Sequence, residues 1–311
     1  MLTGGQYAGC VAVVGLGTMG LPIAGRLAKK GNQVYGHDVR RERLQLLSKA
    51  GGRPVGSPSG FPKDCKIFLL ILPDAEITHE AVFGDDGLVG SLKQGDVVVN
   101  LGTIGPDAVV SLGDHLEAHG VCLLDAPMGK SSREAAEGTL SLMVAGNEET
   151  YVQVEPLLRC VASEITFCGD LGVASTIKMV NNLVSGTILE AVAEGLVLGV
   201  RAGAPLELLI KALSSAGADC YHLRNTFARR VVARDFEPGF SIDLEAKDMK
   251  IGLEAAARRR VPLPVIGQAF QRYVEGQASG LGGEDWGALV KLLEQSTNVE
   301  LRVDGVTEEG G

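Results

Sequence analysis

The chain has 311 residues, of which 45% are hydrophobic and 22% charged, and its formal net charge at pH 7 is −9. This length predicts about two domains, and the acidic balance without a long basic run argues against nucleic acid as a partner. No stretch is expected to supply the ~20 apolar residues of a membrane span, and residues 1–9 lack the basic region of a secretory signal.

The cysteines and histidines give no sign of a metal site. The six cysteines form no CxxC pair, and the five histidines form no mixed cluster with the cysteines. Cysteines scattered through apolar surroundings predict buried free thiols, which are typical of a reducing compartment. We therefore expect a cytoplasmic protein that binds neither a metal nor a membrane.

From residue 10 to about 166, short apolar runs alternate with amphipathic stretches, which indicates a parallel sheet covered by helices. Strands are predicted at 10–14, 33–37, 67–72, 97–100 and 122–125, and 140–144 and 164–167 are expected to extend the sheet. Helices are predicted at 21–29, 40–50 and 107–118. This half of the chain therefore indicates an α/β domain over residues 1–172.

Beyond residue 172 the pattern becomes helical, with no convincing strand. Residues 175–201 predict one helix of about seven turns at ~3.6 residues per turn, with so few charges that burial on several sides, or against another subunit, is expected. An all-helical domain is thus predicted over 173–296. The acidic, glycine-containing segment 297–311 indicates a flexible tail.

Residues 11–20, VAVVGLGTMG, join an apolar strand to a helix through glycines in the GxGxxG spacing. In this arrangement Gly15 permits a tight turn, Gly17 lets the backbone approach a pyrophosphate, and Gly20 allows close helix packing. The pattern predicts a Rossmann-type, doubly wound domain that binds a dinucleotide. The loop residues expected at the cofactor are Gly15, Leu16, Gly17, Thr18, Met19 and Gly20.

Asp38 follows the second predicted strand, where a carboxylate can hydrogen-bond the ribose hydroxyls of the cofactor and repel a 2′-phosphate. This position favours NAD over NADP. Arg40 and Arg41 keep NADP open, because a nearby arginine can accommodate that phosphate. The alternative is that Asp38 caps a helix and the arginines lie on its solvated face.

Lys178, Asn181 and Asn182 are spaced to lie toward one face of the long predicted helix. Hydride transfer to a carbonyl builds negative charge on its oxygen, and an ammonium there can stabilise the charge and deliver a proton. Lys178 is therefore the candidate general acid in reduction and base in oxidation, with Asn182 holding the same oxygen or the lysine. A lysine that extends to solvent beside backbone-bonded asparagines is the alternative.

Residues 125–145, DAPMGKSSREAAEGTLSLMVA, place a cation and hydroxyls in one loop. Such a loop can bind a small acid, although many loops of this composition are solvated connections. Taken with the glycine loop and KMVNN at 178–182, it resembles the β-hydroxyacid dehydrogenase family, which includes 3-hydroxyisobutyrate dehydrogenase. The resemblance covers residues from about 10 to 293 and includes Leu72 and Pro73, Thr103 in NLGTIGP, GTL at 138–140 and KDM at 247–249.

The resemblance implies roles for residues outside the glycine loop. Thr103 and Lys247 would lie at the cofactor together with Met19, Leu72 and Pro73, and Phe240 would close the substrate pocket. A carbonyl substrate would lie between the nicotinamide and Lys178. The long helices of such proteins pack against one another, so a homodimer or homotetramer is implied.

The substrate loop departs from the DAPVSGG of most members, since Gly129 replaces the serine and Lys130 and Ser131 replace the glycines. The altered loop is similar to that of 3-sulfolactaldehyde reductase, where a basic residue and its neighbours bind a sulfonate. The resemblance implies a small anionic substrate. The residues expected to bind it are Gly129, Lys130, Ser131, Ser132, Asn181 and Phe240.

The expected function is an NAD(H)-dependent oxidoreductase that interconverts a short 3-hydroxy acid or hydroxy-sulfonate and its semialdehyde. Reduction of sulfolactaldehyde is the most specific hypothesis, and oxidation of 3-hydroxyisobutyrate or another 3-hydroxycarboxylate is the alternative. A noncatalytic dinucleotide-binding reader is an alternative of another class, because fold does not guarantee activity. An imine reductase is disfavoured, since such relatives usually lack the catalytic lysine.

Overall fold

The computed structural model of the chain describes residues 9–303. Residues 1–8, which were tested for a secretory signal, and residues 304–311 of the expected tail lie outside the described part. The chain divides into two compact units, Met1–Met179 and Val180–Gly311. The described strands are β1 Cys10–Val14, β2 Gln33–His37, β3 Arg53–Pro54, β4 Ile67–Leu70, β5 Val97–Asn100, β6 Cys122–Asp125, β7 Met128–Gly129, β8 Leu140–Gly146 and β9 Ala162–Phe167.

The described α-helices alternate with the strands in the first unit and follow one another in the second. In the first unit they are α1 Gly20–Lys29, α2 Arg41–Lys49, α3 Ala75–Phe83, α4 Pro106–Glu117, α5 Ser132–Glu137 and α6 Glu148–Leu158. Helix α7, Val173–Arg201, continues from the first unit into the second. The rest are α8 Leu206–Leu213, α9 Ile242–Arg258, α10 Pro264–Ala278 and α11 Val290–Thr297, and a π-helix spans His222–Val231.

The sheet has the strand order β3-β2-β1-β4-β5-β6, all parallel, and continues through β8, which is antiparallel to β6 and pairs with β7 and β9. The order reverses between β1 and β4, as in doubly wound dinucleotide-binding folds. The predicted fold class is confirmed. The two-residue strands β3 and β7 were not predicted, because two residues are too few for a periodic pattern.

Both faces of the sheet are buried. In β1, Val11 and Val13 belong to one apolar core, while Ala12 and Val14 belong to the core on the opposite face. Side chains alternate between the faces of a strand, so a strand covered by helices on both sides is apolar at every position. This continuous apolar run is why the first strand was predictable to the residue.

Helix α7 is long and apolar enough to cross a membrane by length and composition, so the expectation that no segment suits a span was wrong. Two of its polar side chains, however, are buried against other helices of the second unit. Asn182 donates to Asp248 at 2.6 Å, and Glu190 pairs with Arg272 at 3.3 Å. Buried polar groups with protein partners are typical of a core helix.

The cysteines depart from the expectation of free thiols at one place. Cys10, at the start of β1, forms a disulfide with Cys65, which precedes β4, and their Cα atoms are 4.6 Å apart. The other four are free, as expected, but only Cys160 is buried; Cys168 and Cys220 are partly exposed and Cys122 is exposed. Sequence spacing could not reveal the pair, because parallel pairing of β1 with β4 brings together residues far apart in the chain.

The end of the helical unit extends beyond the expected boundary at residue 296. Leu301 is fully buried, and its N–H donates to the Glu294 carboxylate at 2.8 Å. Val303 donates to the carbonyl of Val232 at 3.4 Å. A few apolar residues scattered through an acidic segment were too weak a signal for this packing.

Candidate active site

The three glycines of the glycine loop occupy positions with different steric requirements. Gly15 has φ +93°, and a Cβ there would lie 2.3 Å from the carbonyl oxygen of Ile71. A Cβ on Gly20 would lie 1.9 Å from the carbonyl oxygen of Gly15. A Cβ on Gly17 would have an atom of the Arg40 side chain, 3.7 Å away, as its nearest neighbour. Gly15 and Gly20 therefore serve packing, whereas Gly17 leaves space for a phosphate to approach the backbone.

The loops that follow β1, β4 and β5 meet at the carboxyl edge of the sheet. A Cβ on Gly15 would lie 3.0 Å from the Leu72 side chain, and one on Gly102 would lie 2.5 Å from the Leu72 carbonyl oxygen. Thr103 follows Gly102 directly. The structure thus brings the predicted loops together at the reversal of strand order, where dinucleotides bind in this fold class. The backbone cradle fits such a cofactor.

The other predicted cofactor residues lie around this cradle. Thr18 and Pro73 are exposed, whereas Leu16 is fully buried. Met19 is half-buried and packs against the apolar core of the sheet. Leu16 therefore contributes packing and its backbone, and its side chain lies away from solvent.

Asp38, at the end of β2, is buried and tied to the glycine loop. Its carboxylate accepts from the Leu16 N–H at 2.8 Å, from the Arg40 N–H at 2.9 Å and from Arg40 Nε at 3.1 Å. Burial acts to raise the pKa of Asp38, but the bonds from Arg40 and Leu16 outweigh it, so the pKa is lowered. The charged carboxylate therefore fixes the glycine loop before any ribose binds.

The substrate loop begins as strand β7, where Gly129 lies opposite Ser141 of β8. A Cβ on Gly129 would lie 2.3 Å from Ser141 Oγ, so a serine cannot be accommodated at this position without a shift. Lys130 follows with φ +74°, a left-handed backbone that favours glycine. Lys130 therefore occupies a glycine conformation at some cost in strain.

The groups expected to bind the anion contact protein partners in this structure. Lys130 Nζ donates to the Thr139 carbonyl at 2.9 Å and to Glu164 at 3.0 Å. Ser131 is the N-cap of α5 and forms a capping box with Glu134, and Ser132 is the first residue of that helix. An ion pair as exposed as Lys130–Glu164 is worth ~0–1 kcal/mol, so an acid can displace Glu164 at little cost.

The first turn of the helix that bears Lys178 is anchored to the end of β6. Asp125 is fully buried and accepts from the Ser175 N–H at 2.8 Å and from Ser175 Oγ at 3.0 Å. Asn100, also fully buried, lies 3.4 Å from the same carboxylate. The carboxylate thus satisfies N-terminal donors that a helix leaves unpaired. Lys178, half-buried, follows Ser175 by three residues.

The titration of Asp125 should make the free energy of unfolding depend on pH. Burial raises its pKa to about 6, above the value of 3.8 for an exposed aspartate, although its hydrogen bonds act to lower it. The folded protein therefore holds this proton more tightly, and the stabilisation is complete below pH ~4 and lost as pH rises through about 6. The free energy of unfolding of the wild type, relative to Asp125→Asn, should fall over this window by ~3 kcal/mol at most.

Chemical denaturation of both proteins at a series of pH values measures this difference. Burial lowers the pKa of His222 to about 4 and raises that of Glu190 to about 7, so both also contribute to the pH dependence. Their contributions are common to wild type and Asp125→Asn and cancel in the difference. A difference that does not change between pH 4 and 6 would show that Asp125 titrates normally.

A second network joins the KMVNN and KDM motifs within the helical unit. Asn182 is buried, donates to Asp248 at 2.6 Å and accepts from Asn181 at 3.0 Å. Lys247 Nζ lies 2.7 Å from the other oxygen of Asp248. The structure therefore brings together Asn181, Asn182 and Lys247. Phe240 is half-buried and packs edge-on against Trp286 with ring centroids 5.4 Å apart.

The sequence interpretation assigned no role to three residues of these networks. Asp125 and Ser175 are 50 residues apart, and Asp248 is 66 residues from Asn182. The only local signal was that Asp125 ends an apolar strand and Asp248 interrupts an apolar helix face. Polar residues in such places need partners, although their identity depends on the fold.

The fold and the glycine cradle define an NAD(P)-binding protein, and comparison with known proteins gives its family. Residues 10–169 match the NAD-binding domain of 6-phosphogluconate dehydrogenase, and residues 172–293 match the domain described as the NAD-binding domain of NADP-dependent 3-hydroxyisobutyrate dehydrogenase. The chain belongs to the β-hydroxyacid dehydrogenase family. It is therefore an oxidoreductase that acts on a CH–OH group.

Individual relatives differ in the acid they use. 2-(Hydroxymethyl)glutarate dehydrogenase of Eubacterium barkeri is 31% identical over 291 residues, covering 94% of this chain and 97% of its own length. 3-Sulfolactaldehyde reductase of Escherichia coli is 30% identical over 293 residues, covering 94% and 98%. The structure of 3-hydroxyisobutyrate dehydrogenase from Mycobacterium tuberculosis, 26% identical, covers 92% of this chain and 99% of that one with a TM-score of 0.85.

Proposed function

We propose that this protein is an NAD(H)-dependent reductase and dehydrogenase of short 3-hydroxy acids or hydroxy-sulfonates, with Lys178 as the general acid and base. The observation that carries the proposal is the anchor of α7 at Asp125. One buried carboxylate holds the turn before Lys178, and it also begins the loop that bears Lys130. NADH oxidation with sulfonate and carboxylate semialdehydes tests the proposal.

The roles of the residues follow from their chemistry. The backbone of Gly15 to Gly20 and the Asp38 carboxylate would hold the dinucleotide, which supplies or accepts the hydride when bound. In reduction, the Lys178 ammonium stabilises the charge that develops on the carbonyl oxygen and donates its proton there. In oxidation, neutral Lys178 accepts the hydroxyl proton. Asn182, held by Asp248, fixes the polar environment of this turn.

The acid group of the substrate is assigned to Lys130. Its ammonium is partly exposed and its present partner is an exposed glutamate, so exchange of one anion for another is inexpensive. The similarity of the loop to that of sulfolactaldehyde reductase favours a sulfonate. A lysine is a point charge, however, and a carboxylate such as 3-hydroxyisobutyrate is the second candidate.

NAD is the proposed cofactor, and Asp38 gives the test. Its charged carboxylate should repel the 2′-phosphate of NADP, so Asp38→Ser should lower the NAD preference, measured as the ratio of kcat/KM values, by at least ~10-fold. Arg40, released from its ion pair, then becomes available to that phosphate. A wild type that uses both cofactors equally would contradict the assignment and indicate that Arg40 already dominates.

We propose a cytoplasmic homodimer or homotetramer that binds a small anion and neither nucleic acid nor a membrane. Helix α7 exposes apolar side chains along much of its length, and Ile177, Val180, Val184 and Leu198 are each at least 43% exposed. Exposed apolar side chains on one long helix are typical of an interface between subunits. Light scattering of the purified chain measures the oligomeric state.

A further inference from the structure

Two cysteines and an aspartate converge at the amino edge of the sheet, opposite the edge that carries the cofactor cradle. Cys10 begins β1, and Cys65 lies just before β4, which pairs with β1 in parallel. The two sulfur atoms and a carboxylate oxygen of Asp64 all lie within 4.8 Å of one another. Within residues 9–303, no other three side chains of Cys, His, Asp or Glu converge in this way. Thiolates and carboxylates are both metal ligands in proteins.

The local structure holds Asp64 beside the two cysteines. The Cys65 N–H donates to the Pro62 carbonyl at 3.0 Å, which closes a four-residue turn that contains Asp64. The parallel pairing of β1 with β4 places the end of this turn against Cys10, and the Cα atoms of the two cysteines are 4.6 Å apart. The backbone therefore keeps the three groups close, whether the cysteines are bonded to each other or reduced.

The site is accessible to a cation from one side. Asp64 is exposed, whereas the cysteine of β1 is half-buried and the other one is buried in the apolar core. Two lysines flank the turn. Lys66 pairs with Asp96 at 2.8 Å, which compensates its charge, and Lys63 is exposed, where salt and water screen it. A bound cation would therefore meet little repulsion from either lysine.

The spacing and the donor types suit zinc. Zn–S bonds of ~2.3 Å and Zn–O bonds of ~2.0–2.2 Å in a tetrahedron put neighbouring ligand atoms about 3.5–3.8 Å apart, which the spacing of these three groups allows. Thiolates disfavour Mg²⁺ and Ca²⁺, which take oxygen ligands, and a carboxylate disfavours Cu(I), which takes soft ligands. Three protein ligands leave the fourth position of the tetrahedron to water.

We propose that Cys10 and Cys65 in their reduced form, together with Asp64, bind one Zn²⁺ ion. The site is independent of the proposed function. The five residues of β1, at ~3.3 Å each, separate Cys10 from Gly15, so the ion lies about 16 Å from the cofactor cradle and takes no part in hydride transfer. It joins the amino ends of β1 and β4, two strands whose carboxyl ends lead into cofactor loops.

The two sulfur atoms do not bind zinc while they form the disulfide, because the metal ligand is the thiolate. Oxidation by a small disulfide such as oxidised glutathione releases the ion. One protein thiolate attacks that disulfide and displaces a glutathione thiolate, and the second protein thiolate then attacks the mixed disulfide and displaces the other. The oxidised form of the same protein is therefore a reference without a zinc site and without any substitution.

Titration of the full chain with Co²⁺ tests the proposal, because Co²⁺ binds to the same ligands as zinc and a thiolate–cobalt bond absorbs in the near ultraviolet. The chain is reduced with a phosphine, which is then removed under argon. Reduced wild type should bind one equivalent of Co²⁺ with this absorption, and one equivalent of Zn²⁺ should abolish it. After treatment with oxidised glutathione, the absorption should be absent.

Substitutions identify the ligands by competition for zinc with a chromophoric chelator. Cys10→Ser should weaken zinc binding at least ~100-fold and Asp64→Asn at least ~10-fold, because even an outer-shell partner of a metal is worth ~10- to 100-fold in affinity. Two matched controls should bind zinc as the wild type does. Cys122→Ser removes the exposed free thiol, and Asp85→Asn removes an exposed carboxylate of the same unit.

Two results would overturn the proposal. Reduced wild type without thiolate–cobalt absorption would leave Cys10 and Cys65 as a structural pair only, and absorption that survives oxidation or Cys10→Ser would assign the metal to other cysteines. The comparison of reduced with oxidised wild type needs no substitution, so it decides the question even where a variant fails to fold. Turnover of NADH is measured separately and stands or falls on its own.

Discussion

Replacement of Lys178 by alanine is expected to lower kcat for semialdehyde reduction by ~10²- to 10⁴-fold, the usual contribution of a positioned general acid. Binding of NADH should be unchanged, because the residues of the cofactor cradle lie in the glycine loop and at Asp38. The measurement is steady-state NADH oxidation, with cofactor affinity followed separately by fluorescence. A kcat within about twofold of wild type would remove Lys178 from the mechanism.

Two further variants make this result specific. Lys178→Arg keeps the positive charge but has a pKa too high for it to act as a base, so alcohol oxidation should remain as low as in Lys178→Ala. Lys211→Ala removes an exposed lysine from α8 and should leave kcat unchanged. Equal losses in the Lys178 and Lys211 variants would indicate a general effect of net charge.

Lys130→Gly is expected to raise KM for acid-bearing substrates by ~10- to 100-fold, which corresponds to loss of one charge-assisted hydrogen bond. The protein should not be destabilised, since glycine relieves the left-handed backbone at φ +74° and the lost ion pair with Glu164 is exposed. Substrate kinetics and chemical denaturation measure the two effects independently.

Two controls separate the charge of Lys130 from its backbone. Lys130→Ala removes the same charge and keeps the strain, so it should show the same KM and lower stability than Lys130→Gly. Glu164→Gln removes the competing anion and should leave KM unchanged or lower it. An unaltered KM in Lys130→Gly would mean that the acid group binds elsewhere.

The sheet was predictable because its strands are buried on both faces and have glycine-rich or polar ends. Strands β1, β2, β5 and β6 were predicted to the residue, and β4 ended two residues early, where the chain turns toward Leu72. The glycine loop was predictable because a positive φ at Gly15 and the close approach of the Gly15 carbonyl oxygen to Gly20 limit both positions to glycine. Local physics determines both features, so one sequence is enough to find them.

The partners of the site residues depend on the fold and were not predictable. Lys130 was expected to be the cation that binds the acid group of the substrate, and its bond to Glu164 follows only from the pairing of β8 with β9. Asn182 was expected to hold the substrate oxygen or the lysine, and its bond to Asp248 joins α7 to α9. The disulfide between Cys10 and Cys65 has the same origin. The site roles assigned to Lys178 and Lys130 stay predictions until they are measured.

A single assay decides whether this chain performs the proposed chemistry: NADH oxidation by the purified protein with matched sulfonate and carboxylate semialdehydes and with an aldehyde of similar size that lacks an acid group. We expect stoichiometric consumption of NADH with the acid-bearing aldehydes and a much higher KM for the neutral one. Tight NADH binding without turnover of any of them would contradict the proposal and favour a noncatalytic dinucleotide-binding protein.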